Sequence, residues 1–295
     1  MFLVIEGTDM KSLTIKDFFA AFPTDDACLE HLMRTRFGET IPCPRCEKTG
    51  RFARLASLPA YSCPWCGHHI HPMQGTPFER THTALQKWFY AMYMFTTTRN
   101  GVAAKELQRS LGVTYKTAWR MGHEIRKFMA KVDGDTGLGG HVEIDETYIG
   151  GHQKGSGRGT GTRQGKTVVV GMVERDGDVL TEIMPDVKRE TLEPIIYDNV
   201  ATGSIVNTDK LRAYSDLHYG YRHVALDHGA EEYVRGEHHT NTIEGFWSMV
   251  KRTIRGTHIH VSAKHLAKYF GEIEYRFNMR RAPSWTLFQR LLMAF

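Results

Sequence analysis

No apolar run in this chain approaches the roughly 18–20 residues that a membrane-spanning helix needs. The best stretch, Trp88 to Phe95, is far too short. Also missing is a basic segment ahead of the first apolar residues, MFLVIEGTDMK. They do not read as a secretory leader, and the expected location is the cytoplasm. Cysteine is scarce, at five in 295 residues. Asp is absent from residues 236–295, where nine Lys or Arg face four Glu. Residues 99–131 are similarly one-sided, with eight Lys or Arg against two Glu. The whole chain carries only +5, so the remainder is net acidic. Two separated basic segments suit a polyanionic partner, first of all nucleic acid, although solvated helix faces look the same by charge alone. Hydrophobic residues at 41% and charged residues at 24% exclude wholesale disorder. The length allows two or three domains at about 100–150 residues each.

Four of the cysteines fall in two pairs, Cys43-Pro44-Arg45-Cys46 and Cys63-Pro64-Trp65-Cys66, with 16 residues between them. That is the spacing of a four-thiolate zinc site, in which each C-x-x-C turn aims two sulfurs at one ion. The segment Arg51–Ser62, with Phe52 and Tyr61, suits the short strands of a zinc ribbon. So small a segment buries too little apolar surface to fold unaided, and the metal supplies folding energy. Two disulfides are the alternative, disfavoured without a secretory leader. Cys28 is left over and reads as a buried apolar residue.

Leu85, Trp88, Phe89, Met92 and Phe95 recur at three and four, predicting a helix from Thr83 to Thr96. Beyond it, Ala104, Leu107 and Leu111 line one face, Gly112 permits a tight turn, and Thr114 can cap a second helix. The pattern is that of a helix-turn-helix, whose second helix carries Tyr115, Lys116, Thr117 and Arg120 towards a major groove. A plain helical hairpin is the alternative. Residues 132–140 read as a linker.

After the linker the texture turns to strands: His141–Ile149, Lys166–Arg175 and Val179–Met184, the last two joined by the turn signal Asp176-Gly177. Between the first two lies Gly150–Gly165, a basic loop with seven glycines. A helix near Lys188–Asn199, a strand ending at Asp209, another helix, a strand at Tyr221–Ala225 and a long helix from Asn241 complete the order. If the first and fourth strands are neighbours, as in a ribonuclease-H-like sheet, Asp145 and Asp209 meet. The last helix can then deliver Glu244, 35 positions after Asp209. Three carboxylates at one point repel unless cations lie between them, and two Mg²⁺ or Mn²⁺ ions suit such a site. Lys251 follows Glu244 by seven residues, two helical turns, and so shares its face. Asn241, three residues before Glu244, is a neutral ligand or a helix-start residue. His238, His239, His258 and His260 read as phosphate contacts or surface residues rather than a second zinc site.

These segments together resemble DDE-type insertion-sequence transposases with an N-terminal zinc ribbon, the IS fifteen-ninety-five group with its ISXO-two-like catalytic domain. The resemblance rests on Ile144-Asp145-Glu146-Thr147-Tyr148-Ile149-Gly150-Gly151, on Thr208-Asp209-Lys210-Leu211-Arg212-Ala213-Tyr214, and on His239-Thr240-Asn241-Thr242-Ile243-Glu244-Gly245-Phe246-Trp247. It continues through Lys251-Arg252, Gly256-Thr257-His258 and Tyr275-Arg276-Phe277-Asn278, and covers roughly residues 20–285. The resemblance implies a ribonuclease-H-like domain, two divalent ions held by Asp145, Asp209 and Glu244, and a structural Zn²⁺ on Cys43, Cys46, Cys63 and Cys66. It also implies double-stranded DNA as partner, namely the element's terminal inverted repeats and target DNA, contacted by Lys251, Arg252 and Arg255 as well as the helix-turn-helix. A dimer or larger assembly on DNA and a nucleoid-associated prokaryotic location follow. The group uses either Asn or Glu as its third metal residue, and this sequence offers both Asn241 and Glu244. The fold class so read is multidomain. A helical segment (1–38), a β zinc ribbon (39–75), an all-α helix-turn-helix (76–131) and the linker precede an α/β ribonuclease-H-like domain (141–295). The competing readings are a structure-specific ribonuclease-H-like nuclease that cuts without joining and a non-catalytic zinc-ribbon/helix-turn-helix DNA-binding regulator.

Overall fold

The computed structural model describes residues 14–133, 137–150 and 166–294. Two compact units divide the chain, one formed by residues up to Phe128 together with those from Arg281 onward, the other by Met129–Arg280. The predicted loop at Gly150–Gly165 lies, from residue 151 on, outside the described residues.

The first unit opens with helices α1 (Ile15–Ala21) and α2 (Asp25–Phe37). Thr14 and Asp17 close the start of α1 reciprocally, and the Thr24 hydroxyl accepts the Ala27 N–H at the start of α2. Five very short strands follow. β1 (Ile41–Pro42) pairs antiparallel with β2 (Thr49–Gly50). β3 (Ala53–Arg54), β4 (Tyr61–Ser62) and β5 (His69–Ile70) form a small meander that buries little beyond Phe52, Tyr61 and Ile70. Then comes α3 (Leu85–Thr97), with all five residues of the predicted apolar stripe buried. α4 (Ala104–Leu111) and α5 (Tyr115–Val132) are joined at Gly112, whose φ of 59° is left-handed and free of strain only without a Cβ. The Thr114 hydroxyl accepts the Thr117 N–H at 3.2 Å and so starts α5.

In the second unit, β6 (His141–Ile149), β7 (Thr167–Glu174) and β8 (Val179–Met184) run antiparallel in sequence order. Asp176, at φ 58°, turns β7 into β8. After α6 (Arg189–Asn199), β9 (Ile205–Asp209) and β10 (Arg222–Leu226) extend the sheet on the far side of β6, both parallel to it, giving the order β10-β9-β6-β7-β8. The hairpin β11 (Val234–Arg235) and β12 (His238–His239) leads into α7 (Asn241–Thr253), and α8 (Ala263–Asn278) follows.

Three expectations change. The helix predicted between the fourth and fifth strands is two short 3-10 turns, Arg212–Tyr214 and Leu217–Tyr219. Tyr214 and Leu217 are both buried, and a three-residue spacing suits a helix of three residues per turn. The predicted linker is anchored at its end, because Leu138 bridges to Val200 and is buried among the sheet residues. The last helix, α9 (Ser284–Met293), groups with the first unit although the sequence boundary ran to residue 295. Its apolar face is the reason: Phe288 is buried with ring centroids 6.1 Å from Phe18 and 5.7 Å from Phe22.

Strand alternation gives the sheet two apolar faces. Val142, Ile144, Val170, Met172 and Val206 point to the α6 side, with Leu192, Ile196, Tyr214 and Leu217. Val169 and Val173 point to the α7 and α8 side, with Ile243, Trp247, Val250, Phe270 and Ile273. Asp145 and Asp209 have the parity of this second side. Among the described residues no helix is long and apolar enough to cross a membrane.

Candidate metal centres

The cysteine cluster is built by repetition. In each knuckle the first Cys N–H donates to the carbonyl five residues on (Lys48, His68), and its own carbonyl accepts the N–H four residues on (Glu47, Gly67). Both of those fourth residues have positive φ, 61° at Glu47 and 69° at Gly67. All four sulfurs lie within 4.8 Å of one another, with Cys43 to Cys66 at 3.6 Å and Cys46 to Cys63 at 3.8 Å. A tetrahedron with zinc–sulfur bonds of about 2.3 Å has edges of about 3.8 Å, so the donors fit Zn²⁺. Cys28 stands apart, fully buried, and burial pushes its thiol up to about 12. Elemental analysis should find one zinc per chain, lost in Cys43→Ser together with the fold of residues 39–75. An intact protein with two disulfides and no zinc would contradict this assignment.

The second cluster stands where β6 and β9 separate. Their pairing runs His141 with Ile205, Val142 with Val206 and Glu143 with Asn207, and then stops. Carried two residues further, the same register sets Asp145 level with Asp209. On the other side Asp145 pairs with Gly171, where a Cβ would come within 2.5 Å of the Trp247 ring. A side chain at 171 would therefore push α7 off the sheet beside Asp145. Carboxylate oxygens of Asp145, Glu146 and Asp209 lie within 4.8 Å of one another. Glu146 belongs by alternation to the opposite face, and reaches the group where the strands have parted. Its other contact is the Tyr214 hydroxyl, which donates to Glu146 Oε2 at 3.1 Å.

Burial raises the Asp145 carboxyl to about 6, opposed by the Glu146 backbone N–H and augmented by the charge of Asp209. Glu146 rises to about 7 through burial and the charges of Asp209 and Asp145. Tyr214 is held well above its usual range by burial and then by Glu146. Crowded, half-buried carboxylates are hard oxygen donors short of positive charge, the chemistry that Mg²⁺ or Mn²⁺ satisfies.

Glu244 is exposed in the first turn of α7 and accepts the Thr240 hydroxyl at 3.0 Å. Its charge also raises Asp145, but its carboxylate is outside the group within 4.8 Å. Asn241, Lys251, Arg252 and Arg255 are exposed on or just after the same helix. Of the groove-directed set on α5, Tyr115, Lys116 and Arg120 are exposed. The Thr117 hydroxyl lies 3.0 Å from that of Thr114, and the Arg120 guanidinium stands 5.2 Å from the Trp88 ring centre.

Two residues outside the predicted set hold α7 in place. Glu143 is fully buried, and its carboxylate accepts the N–H groups of Thr242 (2.8 Å) and Ile243 (3.1 Å) and the Thr242 hydroxyl (3.0 Å). It is neutralised by Arg175 at 2.8 Å, whose guanidinium also donates to the Glu237 and His239 carbonyls at 2.6 and 3.1 Å. The parity that Glu143 shares with Asp145 was its one signal in the sequence.

A four-thiolate zinc-ribbon cluster followed by a mixed α/β sheet with three gathered carboxylates defines the class of protein. Comparison narrows it. Residues 137–278 match the family described as the ISXO2-like transposase domain, and residues 23–69 match the transposase zinc-ribbon domain. A protein of transposable element ISH50 from Halobacterium salinarum, itself uncharacterised, is 28% identical over 271 residues, spanning 85% of this chain and 90% of that one. An uncharacterised transposase-like protein of Haemophilus influenzae is 33% identical over 101 residues, 34% of this chain and 80% of its own. The chain belongs to the insertion-sequence transposases that carry this pair of domains.

Proposed function

We propose that this transposase binds the terminal inverted repeats of its element, cleaves a phosphodiester at each end and joins the freed 3′ hydroxyl to target DNA. The observation that supports this most is the meeting of Asp145 and Asp209 on one sheet face at the parting of β6 and β9. The strand order, three antiparallel strands extended by two parallel ones across the first, supports a ribonuclease-H-like reading of the unit. Asp145 and Asp209 would hold two divalent cations, with Glu244 or the neighbouring Glu146 completing the set. Such cations supply charge neutralisation and activation of the attacking oxygen, so no Ser or Cys nucleophile is needed. Glu143 and Arg175 fix the helix start that bears Glu244, and the Trp247 ring packs against Gly171, the cross-strand partner of Asp145. Lys251, Arg252 and Arg255 would take phosphates of the bound strand. Joining two ends in one event needs two active sites, which favours a dimer on DNA.

The test is a linear DNA with the native element ends, incubated with protein and Mg²⁺. Nicks at the 3′ ends together with joined products support the reading. Nicks without joining would make the protein a nuclease, and binding alone a regulator.

The helix pair α4–α5 is read as the helix-turn-helix that recognises the ends. Lys116→Ala, and less cleanly Arg120→Ala because Arg120 also packs on Trp88, should weaken binding. Each lost phosphate contact lowers the slope of log affinity against log salt by about one. An unchanged slope in both variants would move recognition to another element.

A further inference from the structure

The far end of α7 carries a feature that neither metal centre uses. Thr253 runs into a single π-helical turn, Ile254–His258, and the chain then folds around Ile259, where the His260 N–H donates to the His258 carbonyl at 2.6 Å. Ile259 stands at φ 64° and ψ −54°, the strained form of a γ-turn. A β-branched residue seldom enters this region, because its Cβ substituents crowd the backbone. Ile259 is 83% exposed, the most of any large apolar residue among the described residues. The tip is nonetheless well held. Ile254 and Val261 on either side are buried in the α7–α8 core, and the His258 ring meets Tyr269 edge-on at 4.7 Å. Strain kept by so firm a frame, with an apolar apex pushed into solvent, points to use.

The surrounding charge has one sign. Between Gly245 and Gly271 the sequence has Lys251, Arg252, Arg255, Lys264 and Lys268 and no Asp or Glu. Lys251, Arg252, Arg255 and Lys264 are exposed, and no carboxylate among the described residues pairs with them. An apolar apex among unpaired cations is complementary to duplex DNA, whose phosphates take the cations and whose stacked bases take the apex. Apolar wedges of this kind unstack a base step and kink the helix. We infer that Ile259 is a wedge inserted between adjacent base pairs of the DNA that lies along α7. This rests on the reading of the protein as a DNA transposase, but that reading does not require it. At about 1.5 Å per helical residue, Ile259 lies about 20 Å from Glu244, or roughly six base steps along the duplex.

The experiment uses the full-length protein and two duplexes, one with the native element end and one of mixed sequence, each carrying 2-aminopurine at successive positions. Binding of the unaltered protein should raise fluorescence at one step, and the duplex that responds tells element end from target DNA. Ile259→Leu keeps a wedge and should keep the response. Ile259→Gly relieves the backbone, so its melting temperature should be equal or higher while the response is lost. Cleavage should fall by at least about tenfold, since a straight duplex sits less well over the carboxylates. DNA binding with no responsive step, or a response that survives in Ile259→Gly, overturns the wedge and leaves the transposase reading standing. So does a change in oligomeric state on Ile259→Gly with the fluorescence unaltered, which would make the tip a contact between copies. No DNA binding at all by the unaltered protein overturns both.

Discussion

Replacing Asp145 or Asp209 with Asn should leave binding to the element end intact and lower Mg²⁺-dependent cleavage by several orders of magnitude. The amide keeps the shape and the neighbouring hydrogen bonds but not the charge that cations need. Asp145→Asn should also stabilise the metal-free protein, and this opposite sign makes the test diagnostic. Asp145 titrates near 6 when folded against an ordinary value of 3.8, and Glu146 near 7 against 4.5. Groups raised in this way favour the folded state at low pH and lose that contribution as pH rises from about 4 through 7. At neutral pH without metal, Asp145→Asn should therefore melt higher than the unaltered protein. Added Mg²⁺ should raise the melting temperature of the unaltered protein and barely move the variant. A metal response that persists in both Asn variants would remove these residues from the cation site. Glu244→Gln and Glu146→Gln then separate the candidates for the third carboxylate. The true ligand loses cleavage in Mg²⁺ and regains some in Mn²⁺, which tolerates imperfect ligand sets better. If both glutamine variants cleave normally while Asn241→Ala is dead, the neutral residue is the ligand.

What was legible in the sequence follows from how local each cause is. The cysteine spacing needs nothing beyond two knuckles and an ion, and it specified the thiolate cluster directly. Strand alternation and the Asp176-Gly177 turn gave β6 to β8 nearly to the residue, because each depends on immediate neighbours. Asp145 and Asp209 meet wherever the first and fourth strands are adjacent, since equal parity on parallel strands brings side chains to one face. Glu146 was hidden by that same rule, which puts it on the opposite face. Only the loss of pairing beyond Glu143 and Asn207 lets it reach round, and the end of a ladder is a tertiary fact. The 3-10 turns between β9 and β10 were missed for a related reason. Tyr214 and Leu217 are pinned by the core under the sheet, and a three-residue spacing also fits an ordinary helix. The grouping of α9 with α1 and α3 depends on aromatic packing across more than 260 positions of chain, which no local pattern encodes.

Glu143→Ala should be the most damaging single change outside the metal ligands. The carboxylate is fully buried and receives two backbone N–H groups from the first turn of α7. Those are donors that a helix start cannot satisfy internally, and a negative charge there also suits the helix dipole. Its deletion orphans them and leaves Arg175, only 20% exposed, without its counter-ion. Removing one partner of a buried pair costs about 3–5 kcal/mol. The second unit should then unfold at much lower denaturant concentration, which urea titration of intrinsic fluorescence would measure. Glu143→Gln is the informative companion, because its amide oxygen can still accept the Thr242 and Ile243 N–H groups while the charge facing Arg175 is gone. It should fold, bind the element end with unchanged affinity, and cleave slowly. Ile243 and Glu244 are consecutive, so a slip of the helix start moves the glutamate directly, and a displacement of about 1 Å costs about a hundredfold in rate. Mg²⁺ titration should show weaker apparent metal binding in Glu143→Gln if Glu244 is a ligand. If Glu146 completes the set instead, the metal titration should not change, because Glu146 is carried by β6 and is indifferent to where α7 begins.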